Sequence, residues 1–378
     1  MSAASSSAPE RRPSDTESKA SRLPARQPSR SRAVAGPADR KPPRAVVFGC
    51  AGTELSGAEL AFFRAVDPLG FILFARNIDS PEQVTRLTAS LRGAVGRPQA
   101  PILIDQEGGR VARLRPPHWP ELPAARRFGE AWLRDPERAI EAVRANGQVL
   151  AGMLRPLGIT VDCMPVLDVP APGSSEVVGD RAYSADHNAV AHLGMAAAQS
   201  LLEGGVLPVV KHMPGHGRAL VDSHHAMPVV DASEDELLAS DFAPFRALRY
   251  MPIAMTAHVR YTALDATRPA TLSPVVIAEF IRDRIGFGGF LFTDDLSMNA
   301  LPGTLAERAA GAIEAGCDAV LHCNGRMDEM VEVADAVPAL GRHGIQRWGI
   351  AEALRRRAGD PMELDRATAW RDLMLAEA

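Results

Sequence analysis

Aromatic residues make up only 5% of the 378-residue chain, and cysteine occurs four times. No apolar run approaches the length of about eighteen residues that a membrane span needs. Cys50, Cys163, Cys317 and Cys323 include no CxxC pair, and three of them lie inside apolar runs. That pattern excludes a disulfide framework or a zinc ribbon and reads as buried thiols in a reducing cytoplasm. A basic surplus is also missing: 42 Lys and Arg stand against 46 Asp and Glu. Residues 1–43 hold nine of the basic and four of the acidic residues, which leaves 33 against 42 in the remainder. A body that acidic is a poor grip for phosphate backbones, so neither nucleic acid nor a membrane is expected as a partner. No GxGxxG follows the first apolar run, which removes the commonest dinucleotide site; no cofactor is expected.

Residues 1–43 contain nine Ser and seven Pro, no aromatic residue, and only Met1, Leu23 and Val34 as apolar side chains larger than Ala. Such a segment cannot bury enough surface to offset its ordering entropy and is expected to be a disordered tail. It has no apolar h-region for a secretory signal, and Glu10, Asp15, Glu17 and Asp39 argue against a transit peptide.

From residue 44 to 378 the pattern changes. Eight short apolar runs recur: Ala45–Cys50, Gly70–Phe74, Pro101–Asp105, Ile159–Pro165, Val206–His212, Pro252–His258, Gly289–Asp294 and Asp318–Cys323. None alternates cleanly, as expected of parallel strands covered on both faces. Amphipathic stretches separate them, among them Pro81–Val95, Pro136–Leu157, Asn188–Glu203, Ser233–Leu248, Pro274–Arg284, Thr304–Ala315 and Asp328–Leu340. Ser80-Pro81 has the form of a cap followed by proline at the first helical position. Eight βα units in one α/β domain point to a (β/α)₈ barrel, with helices near Ile350–Arg357 and Met362–Leu375 closing the C-terminus.

In such a barrel the chemistry gathers where strands end. The ends here carry Asp105, with Glu107, Arg110 and Arg113 just beyond, then Asp162, Lys211-His212, His258, Asp294-Asp295 and His322; Arg181 follows in the loop after the fourth run. Polar residues at so many strand ends read as a ligand-binding rim. The densest stretch is Lys211-His-Met-Pro-Gly-His216-Gly-Arg-Ala-Leu-Val-Asp222-Ser-His224-His225, which holds four of the ten histidines. Pro214, Gly215 and Gly217 forbid a helix, so His212 and His216 are not a zincin pair. Asp222 beside His224 suits an acid/base dyad, because a carboxylate fixes the imidazole tautomer and raises its proton affinity. A metal site built from His212, His216 and His224 remains the alternative. Asp294, closing a buried strand, suits a nucleophile toward a carbon that becomes cationic, and Asp295 suits a helix cap.

The segments Ile104-Asp-Gln-Glu-Gly-Gly-Arg-Val-Ala-Arg113, Lys211-His-Met-Pro-Gly-His-Gly with Asp222-Ser-His224, and Phe292-Thr-Asp-Asp-Leu-Ser-Met298 resemble the β-N-acetylglucosaminidases of glycoside hydrolase family three. More narrowly they are similar to the single-domain bacterial enzymes of peptidoglycan recycling, over about residues 44–340. The resemblance implies a metal-free, monomeric cytoplasmic hydrolase that releases N-acetylglucosamine from disaccharides or 1,6-anhydro-muropeptides with retention. It also implies Asp294 as nucleophile, His224 as general acid/base, Asp222 as its orienting partner, and Asp105, Arg113, Arg181, Lys211 and His212 as sugar-binding residues. A related phosphorylase, a metal-dependent barrel hydrolase and a non-catalytic sugar-binding protein are the competing readings.

Overall fold

Because each apolar run is short and covered on both faces, its alternate residues serve two different layers. The computed structural model describes residues 41–175, 177–221, 223 and 226–378. The eight runs form parallel strands β1 (Arg44–Gly49), β2 (Pro68–Leu73), β3 (Ile102–Ile104), β4 (Val161–Asp162), β5 (Leu207–Met213), β6 (Ile253–Thr256), β7 (Phe290–Asp295) and β8 (Ala319–His322). They close into a barrel in chain order, with β1 pairing both β2 and β8. Val47, Ile72, Leu103, Val161, Val209, Ile253 and Leu321 fill the inside. Val46, Phe48, Phe71, Ile102, Val210, Leu291 and Val320 turn outward against the helices. With both sides apolar, no polar residue marks the period of two.

The helices around the barrel are α1 (Gly57–Val66), α2 (Pro81–Val95), α3 (Ala125–Trp132), α4 (Pro136–Leu154), α5 (His187–Glu203), α6 (Glu234–Ala239), α7 (Ala243–Ala247), α8 (Leu305–Ala315), α9 (Met327–Ala336), α10 (Arg342–Arg356) and α11 (Leu364–Glu377). Ser80 caps α2 as expected, its hydroxyl accepting from the Gln83 N–H at 3.3 Å, with Pro81 in the first turn. Three expectations need correction. The helix expected over Ser233–Leu248 is two, α6 and α7, because Pro244 lacks an N–H and its ring clashes with the preceding turn. The segment expected at Pro274–Arg284 winds as Val276–Arg284 with the wider i→i+5 spacing. The helix expected near Ile350–Arg357 begins earlier, at Arg342.

At the start of β7, Trp348 of α10 lies edge-on to Phe290 and Phe292, with centroids 5.2 and 6.3 Å away. These rings close the barrel at the end opposite the strand termini. Trp348→Ala is therefore expected to lower stability by about 3 kcal/mol through lost burial and a residual cavity. Denaturant unfolding of the variant should show this, while kcat of the folded fraction stays at the parent value; a loss of kcat at full folding would contradict the assignment.

Candidate active site

At the C-terminal ends of the strands a cavity of ≈ 290 Å³ opens, lined by Asp105, Arg113, Arg181, Lys211, His212 and Asp294 among others. The chain thus brings together six of the eight residues singled out from the sequence. The other two, Asp222 and His224, lie outside the described residues; Ser223, between them, lines the same cavity.

The cavity floor is an ionic lattice. The Lys211 ammonium sits 2.9 Å from Asp105 Oδ1 and 2.6 Å from Glu107 Oε1. Arg181 forks onto both Glu107 oxygens at 2.8 Å, and Arg113 Nη2 approaches Asp105 Oδ2 at 3.4 Å. Burial alone would raise the Glu107 carboxyl, but Arg181 and then Lys211 outweigh it and hold it well below the usual range. Burial likewise opposes the Lys211 charge, and Asp105 and Glu107 overcome it. Lys211 is 2% exposed, so Lys211→Met would leave the buried Glu107 and the partly buried Asp105 carboxylates short of a shared cation. A loss of about 3 kcal/mol is expected at neutral pH. The depressed Glu107 pKa contributes stability that is complete above its unfolded value of about 4.3 and is lost as pH falls below it. Thermal unfolding between neutral and acidic pH should show that acid slope in the parent and a shallower one in Lys211→Met. An unchanged Tm at neutral pH would refute the lattice's structural role.

Asp294 is the penultimate residue of β7, its Oδ1 accepting from the Asp295 N–H at 2.8 Å and its Oδ2 lying 3.9 Å from His212 Nε2. Burial pushes its pKa up, yet His212, then His258, the Asp295 N–H and Lys211 bring it down to about 2. The carboxylate is therefore ionised and nearly free of hydrogen bonds, as a nucleophile must be.

Asp168 carries no signal in the sequence, yet it organises this wall. It is fully buried in the loop after β4, and its Oδ2 accepts from His212 Nδ1 at 2.7 Å. Its Oδ1 accepts the backbone N–H groups of His212 and His216 at 3.3 and 2.7 Å. Burial would raise its pKa, and the His212 ring, the His216 ring and the His216 N–H lower it. Glu107 was visible in its motif, but its pairing with Lys211 spans more than a hundred positions of chain.

Several polar strand ends do not join the rim. Asp162 is fully buried, accepts from the Gln106 N–H at 3.0 Å, and is pushed well above the carboxylate range by burial. His258 bonds the Asp295 carbonyl at 3.0 Å and Thr271 Oγ1 at 2.7 Å, bracing the strand that carries Asp294. His322 pairs with Glu329 at 3.0 Å behind the cavity wall. None of the three lines the cavity, and each bonds loop, strand or helix groups instead. Asp295 is not the cap of α8, whose cap is Thr304. Its oxygens accept from Ser297 N and Oγ at 3.1 and 2.6 Å and from Cys323 N at 3.2 Å, tying β7 to β8.

Among the described residues, no three His, Cys, Asp or Glu side chains converge as a metal site would require. All four cysteines are buried free thiols. No helix among the described residues is long and apolar enough to cross a membrane.

Residues 67–356 match the family model described as the glycosyl hydrolase family 3 N terminal domain. The chain is 40% identical over 287 residues to a β-hexosaminidase of Bordetella avium, covering 75% of this chain and 81% of that protein. It is 39% identical over 344 residues to a β-hexosaminidase of Aromatoleum aromaticum, covering 89% and 94%. Among solved structures, NagZ from Neisseria gonorrhoeae in complex with N-trifluoroacetyl-D-glucosamine superposes with a TM-score of 0.79 at 35% identity, over 89% of this chain and 99% of that one.

Proposed function

The chain belongs to glycosyl hydrolase family 3 and is a glycoside hydrolase of the β-hexosaminidase kind; on that premise we propose that it works by retention, through a covalent glycosyl-enzyme on Asp294. The observation that carries this reading is the Asp294 carboxylate, ionised, facing the cavity and committed to a single hydrogen bond. In the first step Asp294 attacks the anomeric carbon as the glycosidic C–O bond breaks, and His224 protonates the departing oxygen. In the second, His224 takes a proton from water, the water oxygen bonds to the same carbon, and the ester opens to return the carboxylate. A histidine thus does the work of the second carboxylate in most glycosidases, with Asp222 fixing its tautomer.

Asp105, Arg113, Arg181, Lys211 and His212 would hold the sugar. The buried Arg113 Nε has no hydrogen-bond partner among the described residues, which makes it a donor suited to a sugar oxygen. The substrate proposed is a terminal β-linked N-acetylglucosamine on a disaccharide or 1,6-anhydro-muropeptide, handled by a cytoplasmic monomer in cell-wall recycling.

The test is an assay of the purified chain, in phosphate buffer, on nitrophenyl β-N-acetylglucosaminide and on anhydro-muropeptides. Free β-N-acetylglucosamine as first product supports the proposal. Inverted product, sugar-1-phosphate, or activity abolished by a chelator would each overturn it.

A further inference from the structure

The chain leaves β5 through Met213, Pro214 and Gly215, and its next residues are pinned. His216 N–H donates to the buried Asp168 at 2.7 Å, and the Gly215 carbonyl accepts from the Tyr261 hydroxyl. The Gly217 carbonyl accepts from Ala171 N–H at 3.2 Å and that of Ala219 from Ser175 N–H at 2.8 Å. A Cβ at Gly217 would overlap the Val169 carbonyl, so only glycine lets these two loops approach so closely. The next two side chains leave the fold, Leu220 being 68% and Val221 42% exposed. At Ser223 the chain returns, 3% exposed. Its carbonyl accepts from the Ala300 N–H at 3.1 Å, in the segment after β7, and its Oγ lies 3.2 Å from His216 Nε2.

We infer that His216 and Ser223 are positioning residues, a latch that sets the reach of the acid/base pair. Ser223 is the covalent neighbour of both Asp222 and His224, so whatever fixes it limits where their side chains can go. Among the described residues, the exposed Leu220 and Val221 before it make no hydrogen bond that would anchor them. The His216–Ser223 hydrogen bond therefore ties the return of the chain to the rigid root at Asp168. Burial pushes the His216 pKa down to about 4, so its ring stays a neutral hydrogen-bonding partner near neutral pH. The inference rests on the reading of His224 as general acid, and it assigns His216 to the latch instead of to a metal.

The test compares kcat/KM, which reports the step that expels the leaving group, on an N-acetylglucosamine disaccharide and on a dinitrophenyl β-N-acetylglucosaminide. Ser223→Ala removes only Oγ and keeps the carbonyl bond to Ala300, so it should fold; near-ultraviolet circular dichroism checks this. Its loss on the disaccharide should exceed its loss on the dinitrophenyl glycoside by about tenfold, because only a poor leaving group needs the placed proton. His216→Asn, too short to reach Ser223, should show the same bias. The double variant should fall no further than the worse single one, since both changes break one contact. Equal losses on the two substrates, or losses that multiply in the double variant, would overturn the latch. Measured in parallel, His224→Ala separates the two failures. If it shows the leaving-group bias and Ser223→Ala does not, the latch alone fails; if neither shows it, the acid/base reading falls with it.

Discussion

Asp294→Ala is expected to lower kcat by about 10⁴–10⁶-fold while the protein remains folded, the scale on which removal of an attacking group is felt. No neighbouring carboxylate can take over. Asp295 spends its oxygens on Ser297 and Cys323, and Glu107 is gripped by Lys211 and Arg181. The fold should tolerate the change, because the side chain makes one hydrogen bond, to the adjacent N–H, and removing it also removes a partly buried charge. A 2-fluoro sugar that traps the intermediate should label one peptide in the parent, the one containing Asp294, and none in the variant. Labelling at Asp295 or Glu107, or wholesale unfolding of the variant, would refute the role given to Asp294.

His224→Ala should be a conditional lesion. A nitrophenolate departs without help, whereas a sugar alkoxide needs a proton, and general acid assistance is worth about 10²–10⁴-fold. The variant's kcat/KM on a natural disaccharide should therefore fall by that order more than on a nitrophenyl glycoside. Asp222→Ala should follow the same pattern more mildly, since the part proposed for it is to orient and tune the imidazole. Equal losses for both leaving groups would return His224 to the status of a loop histidine.

The barrel itself was legible before any coordinate. Eight apolar runs separated by helical periods leave few alternatives, and Ser80-Pro81 marked a helix start that the structure keeps. The cavity-facing set Asp105, Arg113, Arg181, Lys211, His212 and Asp294 was legible for a different reason: its members stand in the motifs that resemble glycoside hydrolase family three, whereas position at a strand end by itself also offered Asp162, His258 and His322. The break between α6 and α7 is written in Pro244 but masked by the surrounding apolar spacing, which is continuous across it.

What the sequence could not determine is which way a polar residue at a strand end points. Asp162 and Asp105 end neighbouring strands in similar contexts, yet one is sealed beneath the Gln106 turn and the other faces the cavity. Strand register decides that, and with both faces of every strand apolar the one-dimensional pattern carries no trace of register. The same holds for Asp168, whose three hydrogen bonds all reach to the end of the neighbouring strand β5 and the turn after it, more than forty residues away in the chain. The order of the strands and the types of residue that end them were determined by sequence alone. The pairing of Lys211 with Asp105 and Glu107, of Asp168 with His212, and of His216 with Ser223 was decided only when the barrel closed, because a buried charge or imidazole takes its properties from neighbours that chain order does not name.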